Sequence, residues 1–309
     1  MNDAKKPLWL VLAPVIFTLL WAGGYGVAKV GLQYAEPMTL LSLRFSTVVI
    51  LLVPFYLYLR PALPKRRADW LHLVVVGVLV QAVYFGFCWW AFRTGVSAGV
   101  LAIFMSLQPI LVAILAPTLA RENVSWKRWF GLLLGLAGVL IVIIARSDIE
   151  PPTVIGVGFS IMGLLGITSG VLYEKRFGGT AHPIVANIVQ YAAGFSVVFP
   201  IAFFFETMQV QWNGEFIAAL GYLAIGNSIL AISLLLAMIR AGEVSRVSSL
   251  MFLVPPLAAL FGWLLLGEEM PPVAWIGMAV AAVGVAIAAH KRRKSDHAPM
   301  VKQDRMKEV

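Results

Sequence analysis

One fixed charge stands well inside an apolar stretch of this sequence: Arg44, seven residues past Pro37. At 1.5 Å of helical rise per residue it lies roughly 10 Å in from the polar end of its run. An arginine at that depth in a bilayer costs a few kcal/mol unless it is paired or faces water. Its guanidinium fork suits a carboxylate or phosphate of a substrate; the bland alternative is a gate, or packing against helix-end carbonyls. Amides come next. Gln81 and Asn227 fall midway through their own apolar runs, and Gln108 precedes Pro109, whose missing donor frees a carbonyl. Such amides either line a polar cavity or hydrogen-bond between helices. Trp21, Tyr25, Tyr84, Trp89, Trp90, Phe104, Tyr173 and Tyr191 add aromatic faces, suited to an amphipathic ligand, to packing or to the membrane interface.

Other chemistries lack their residues. No Asp or Glu lies mid-run; Glu174 and Glu206, the nearest, sit at run ends, so the usual buried proton carrier is missing. His72, His182, His290 and His297 form no ligand spacing, and Cys88 is the only cysteine, which excludes an intrachain disulfide and a cysteine metal site. No Walker motif is present. The expectation is therefore no metal, no cofactor and no catalytic residue. A net charge of +9 would suit nucleic acid, but the basic residues lie between apolar runs. They read as orientation signals for membrane insertion, and no nucleic-acid partner is expected.

The elements that must position these residues are membrane helices. The composition is 60% hydrophobic and 13% charged, against about 25% charged in soluble domains. Ten apolar runs are long enough to span a bilayer: Leu8–Val30, Pro37–Leu59, Trp70–Phe92, Ser97–Leu119, Lys127–Ala145, Thr153–Tyr173, Pro183–Phe205, Phe216–Ile239, Val244–Leu266 and Pro272–Ala289. The first follows Lys5 and Lys6 but lacks a clear cleavage site, so it reads as a membrane helix rather than a signal peptide. With ten spans, twenty Lys and Arg fall on the face shared by both termini and three (Lys29, Arg93, Arg146) on the other. Both termini are thus expected in the cytoplasm. The basic tail, 291–309, reads as disordered.

Sliding the sequence on itself by 146 residues superposes its punctuation. Gly24 meets Gly170, Lys29 meets Lys175, Pro37 meets Pro183, Pro109 meets Pro255, Glu122 meets Glu268 and Trp129 meets Trp275. Phe45 falls on Tyr191, Gln81 on Asn227 and Arg44 on Gln190, which keeps hydrogen-bonding capacity without charge. Two repeats, 8–146 and 153–290, follow. Five spans is an odd number, so the second repeat is inverted relative to the first, a common plan for secondary transporters. Glu122 and Glu268 precede helix starts at Ser125–Lys127 and Pro271–Pro272 and read as structural clasps, since a helix N-terminus stabilises a carboxylate. The pairs Gly131…Gly138 and Gly277…Gly284 allow close helix approach.

Trp21…Tyr25…Lys29, Arg44-Phe45 and Pro109…Glu122…Gly131…Gly138, echoed by Pro255…Leu266-Gly267-Glu268…Gly277…Gly284, resemble the EamA family of the drug/metabolite transporter superfamily over Leu8 to Ala289. One departure is Ala120-Arg121-Glu122, where the family's Leu-Gly-Glu stands intact only in the second repeat. The resemblance implies ten spans, cytoplasmic termini, a central cavity lined by the first four helices of each repeat, and the fifth helix of each at the periphery. The expected protein is an all-α secondary carrier of a bacterial inner membrane, exporting a small metabolite such as an amino acid or an amphipathic compound. Its partners are that substrate and the lipid bilayer. Candidate substrate-binding residues are Arg44, Gln81, Gln108, Gln190, Asn227, Trp21, Tyr25, Tyr84 and Tyr191; Glu122, Glu268, Pro109 and Pro255 are structural. A membrane-embedded enzyme or a non-transporting scaffold are the alternatives.

Overall fold

The computed structural model describes residues 8–96, 98–146, 153–179, 181–241, 244–266 and 269–290, and nearly all of them are helical. The tail from 291 and Glu268 lie outside the described residues, as does the side chain of Tyr25. Among the described residues nine helices are long and apolar enough to cross a membrane. They are α1 Leu8–Gly31, α2 Pro37–Leu59, α3 Arg67–Arg93, α4 Val100–Leu119, α5 Trp126–Ala145, α6 Val154–Phe177, α7 Pro183–Phe205, α8 Gly214–Ala241 and, after one further element, α10 Pro272–Ala289. The bounds of α2, α7 and α10 coincide with those read from the sequence, because each begins on a proline whose missing N–H is no loss in the first turn. Thr153 and Asn213 cap α6 and α8 by accepting from Gly156 N (3.1 Å) and Phe216 N (2.7 Å).

The ninth run differs from its expected form. Instead of one continuous helix it is a broken element, α9, made of Val244–Ser248, a 3-10 stretch Ser249–Leu253 and Val254–Leu266. The three pieces follow one another without a gap from Val244 to Leu266. Pro255 and Pro256 remove two successive backbone donors there, which interrupts the ladder. The matching break in α4 separates Ala98–Ser106 from Gln108–Leu119, just before Pro109.

The most extensive helix–helix interface joins α5 to α10, and α3 with α6 and α2 with α7 also pack closely. α5 and α10 run antiparallel, and their glycines face each other. A Cβ on Gly131 would strike the backbone of Gly284 and Ala288, and one on Gly138 the backbone of Gly277 and Ala281. Ala35 and Val210 form a single antiparallel β-bridge between the α1–α2 and α7–α8 loops. The outside stays apolar: Ile50, Leu57, Ile155, Phe204 and Ile276 are all exposed, as side chains facing lipid are. The chain is a multi-pass membrane protein.

Candidate functional site

Two helices deliver the central amides by the same local distortion. Val78–Phe85 within α3 and Tyr222–Ile232 within α8 are π-helical, a widened winding that is frequent at functional sites. The first stretch carries Gln81, Tyr84 and Phe85, the second Asn227 and Ser228. α2 brings Arg44 between them. Arg44 is 1% exposed and donates from Nε to Ser228 Oγ (2.7 Å) and from Nη2 to Asn227 Oδ1 (2.8 Å). Its guanidinium carbon lies 4.3 Å from the centre of the Phe85 ring, a cation–π contact. Among the described residues no carboxylate lies within salt-bridge distance of it. Asn227 in turn donates from Nδ2 to Leu20 O (3.4 Å) and sits where a Cβ on Gly24 would be. Glycine at 24 is what lets α1 and α8 close on the amide.

Beside Arg44 opens a cavity of about 400 Å³ of atom-free space, counting its mouth. Arg44 and Asn227 supply its polar wall; Trp21, Tyr84, Phe85, Trp89 and Phe92 supply most of the rest, with Cys88 among them. Trp21 and Tyr84 lie nearly parallel, their centroids 6.3 Å apart. The cavity extends from mid-bundle towards the end where Ala28, Phe92 and Leu101 lie, here named the Arg93 end. The opposite one is the Arg240 end.

Behind Arg44 a second group of polar atoms is sealed off. Both side-chain ends of Gln81, Nε2 of Gln190 and the hydroxyl of Tyr191 are buried without a well-formed hydrogen bond, although the Tyr191 hydroxyl faces Gln81, Ser228 and Arg44. Tyr191 packs against Phe45 with ring centroids 5.5 Å apart. Gln190 and Gln81 are held by glycines on the facing helix: Gly77 under the Gln190 backbone and Gly194 against the Gln81 side chain.

Carboxylates close both ends of the bundle. At the Arg93 end Glu206 accepts from Met38 N (2.8 Å), Thr39 N (2.7 Å) and Thr39 Oγ1 (2.8 Å), capping α2 from across the chain. Glu36 answers by accepting from Thr207 N (2.6 Å), Thr207 Oγ1 (2.7 Å) and Arg93 Nη1 (3.0 Å). The Thr207 hydroxyl, then its backbone N–H and Arg93, hold the Glu36 carboxyl below its usual range against its partial desolvation. Tyr34 donates to Glu215, and that bond pushes the Tyr34 hydroxyl above its usual value. At the Arg240 end, buried Glu174 accepts from Arg240 Nε. Glu122 accepts from Val244 N (2.8 Å), so the helix it caps is α9 rather than the α5 that follows it in the chain. Lys175 stands 3.7 Å from the same carboxylate.

Of the residues singled out in the sequence, Trp21, Arg44, Tyr84 and Asn227 share the cavity. Gln81, Gln190 and Tyr191 are buried in the sealed group instead. Gln108 stands apart, donating to Ser248 Oγ (3.5 Å) between the two helix breaks. Pro109 is buried at one break, and Pro255 is half-buried at the other. Sequence reasoning missed Ser228, Phe85 and Gly24. Ser228 adjoins Asn227 in the chain, but a serine in a helix usually bonds its own backbone and gives no signal of its own. Among the described residues no three His, Cys, Asp or Glu side chains are grouped to hold a metal ion.

Comparison with known proteins agrees with this architecture. A solved crystal structure superposes with a TM-score of 0.77 at 19% identity, covering 90% of this chain and 96% of the other. The "Uncharacterized inner membrane transporter YedA" of Escherichia coli K12 is 24% identical over 87% of each chain. The "Probable amino-acid metabolite efflux pump" of the same organism is 22% identical over 88% of this chain and 92% of its own. A WAT1-related chloroplastic protein of Arabidopsis thaliana is 27% identical, over 90% of this chain and 68% of its own. The profile of the EamA-like transporter family matches residues 7–144 and again 154–289, and the chain belongs to that family.

Proposed function

We propose that the protein is a secondary carrier that exports a small polar-to-amphipathic metabolite by alternating access. Two inverted five-helix repeats, 8–146 and 153–290, cross a bacterial inner membrane ten times in all, with both termini in the cytoplasm. The names of the E. coli relatives and the double match of the family profile support this reading. Arg44, Asn227, Trp21 and Tyr84 line the substrate site in the present state.

The observation that carries it is an asymmetry between corresponding positions. Shifted by 146 residues, the cavity-lining Ala28, Arg44, Trp89, Phe92 and Leu101 become Glu174, Gln190, Leu235, Met238 and Val247, and Asn227 corresponds to Gln81. All six counterparts are buried. Arg44 and Asn227 are bonded to each other at the cavity wall, whereas their counterparts Gln190 and Gln81 are buried away from it with polar atoms that make no well-formed hydrogen bond. Two similar halves in unlike states are what a carrier needs, because exchanging those states moves the opening from one membrane face to the other. Counterflow of a labelled metabolite by the purified protein in liposomes tests the proposal. A protein that binds the compound but never exchanges it across the bilayer is a scaffold, and one that converts it is an enzyme.

A further inference from the structure

We infer that the ligand of the cavity is an organic monoanion: a carboxylate on an aromatic or branched apolar body, with no ammonium group. The inference rests on reading the cavity as the substrate site.

The charge follows from Arg44. Its guanidinium has five N–H donors. The hydrogen bonds it makes from Nε and Nη2 go to uncharged groups, Ser228 and Asn227, and the Tyr191 hydroxyl that also faces it is uncharged too. A buried cation left without a counter-charge is costly, and a charge at mid-bilayer more so. Among the described residues the cavity wall beside Arg44 contains no Asp or Glu. The missing negative charge must therefore arrive with the ligand, and a carboxylate matches the fork best.

The rest of the wall decides the rest of the ligand. An α-ammonium stands one carbon away from its carboxylate, so it would be brought close to Arg44 with no acid to balance it. Like charges that near repel strongly where the effective dielectric is low. Trp21, Tyr84, Phe85, Trp89 and Phe92 instead offer apolar rings. Phe85 already spends a face on Arg44 itself. An apolar body gains by burial against such rings, and a free amino group loses its hydration there.

The test is equilibrium dialysis of the purified full-length protein at neutral pH against labelled phenylacetate, phenylalanine and phenylethylamine. These share one benzyl group and differ in the charged groups attached to it. Phenylacetate should bind saturably, with the other two at least about tenfold weaker; losing a charge-assisted hydrogen bond is worth that much. Arg44→Gln should cost phenylacetate about tenfold or more by the same reasoning, while Arg44→Lys retains part of the affinity. Asn227→Asp is the second variant, chosen because Arg44→Gln can unsettle the fold. It sets a carboxylate on Arg44 from within, so phenylacetate binding should collapse and phenylethylamine should gain. Equal binding of phenylalanine or phenylethylamine by the unmodified protein overturns the inference. So does an absence of saturable phenylacetate binding, displacement of phenylacetate by inorganic phosphate at equal concentration, or an Asn227→Asp protein that still prefers the anion. Dialysis does not depend on flux. Anion binding without counterflow would overturn the carrier reading alone, and counterflow without anion preference would overturn this inference alone.

Discussion

Phe45 and Tyr191 meet at the centre of the bundle, ring centroids 5.5 Å apart and planes inclined by 58°. They stand 146 residues apart, the same offset that brings Pro37 onto Pro183 and Pro109 onto Pro255. A residue touches its own counterpart only near the axis of a two-fold arrangement. Away from an axis, contacts should come in exchanged pairs, and the α5–α10 glycines do: Gly131 lies against Gly284, and Gly138 against Gly277. Both relationships support two inverted repeats joined along α2–α7 and α5–α10.

The α5–α10 contact leaves no room for a side chain. A Cβ on Gly138 would run into the backbone of Ala281 and Gly277 rather than into a flexible side chain. Gly138→Leu should destabilise the protein by about 1–3 kcal/mol, the usual cost of forcing atoms into a packed interface. A thermal unfolding scan in detergent measures it. Gly26, which has open space around its would-be Cβ, serves as the control: Gly26→Ala should hold the midpoint or raise it slightly, since alanine is about 0.5–1 kcal/mol better than glycine inside a helix.

Orientation can be read with an impermeant thiol reagent on intact cells. The background is Cys88→Ser, whose native thiol is buried. Cysteines placed at Lys65 and Lys294 should be protected and one at Asn213 labelled. The reverse pattern contradicts cytoplasmic termini and the charge asymmetry from which they are argued.

Gln81 and Gln190 are the counterparts of Asn227 and Arg44, which are hydrogen-bonded to each other. In the exchanged state the amide pair should take over the bond that Arg44 and Asn227 make now. Neither end of Gln81 makes a well-formed hydrogen bond in the present state. Gln81→Leu should therefore cost no stability, and should relieve a buried polar group worth about 1–3 kcal/mol, yet slow counterflow severely. A variant that is both more stable and fully active would show that Gln81 has no part in the exchange.

The Glu36–Thr207 contact sets a pH window. Because the bonds from Thr207 and Arg93 favour the ionised carboxylate, closing this contact lowers the Glu36 pKa. Its contribution is then complete above the ordinary glutamate value of about 4.3 and is lost as pH falls through the lower, folded value. Hydrogen exchange at the Thr207 amide, corrected for intrinsic rates, should stay flat from about pH 8 down to about 5, where Glu36 remains ionised in either state. Glu36→Gln should raise exchange across the whole range. Loss of protection already near neutral pH would mean another group controls the contact.

The helices were legible because each is written as an apolar run closed by proline, glycine or charge, as at Pro37, Pro183 and Pro272. Arg44 and Asn227 stood out because a charge or an amide in such a run is costly. What was not legible is which amides would be open and which sealed. Gln81 and Asn227 stand 146 residues apart at matching places in the sequence, and only the fold shows that Asn227 lines the cavity while Gln81 is sealed away from it. The break in α9 was foreshadowed by Pro255-Pro256, yet the run's hydrophobicity concealed it. Glu122 announced a helix cap, but sequence proximity pointed to the next helix, whereas the partner is 122 residues away at Val244.

If the two halves are inverted repeats as proposed, the contrast between Arg44 and Gln190 bears on why they share a single polypeptide. Two identical five-helix chains, paired head to tail, would have to place an arginine at both positions, next to the meeting rings of Phe45 and Tyr191. A second unpaired guanidinium so close would double the desolvation cost and add like-charge repulsion in a low-dielectric interior. Joining the halves in one chain frees them to differ here as they do elsewhere. A homodimer can copy the architecture, but it cannot carry a single positive charge at its centre.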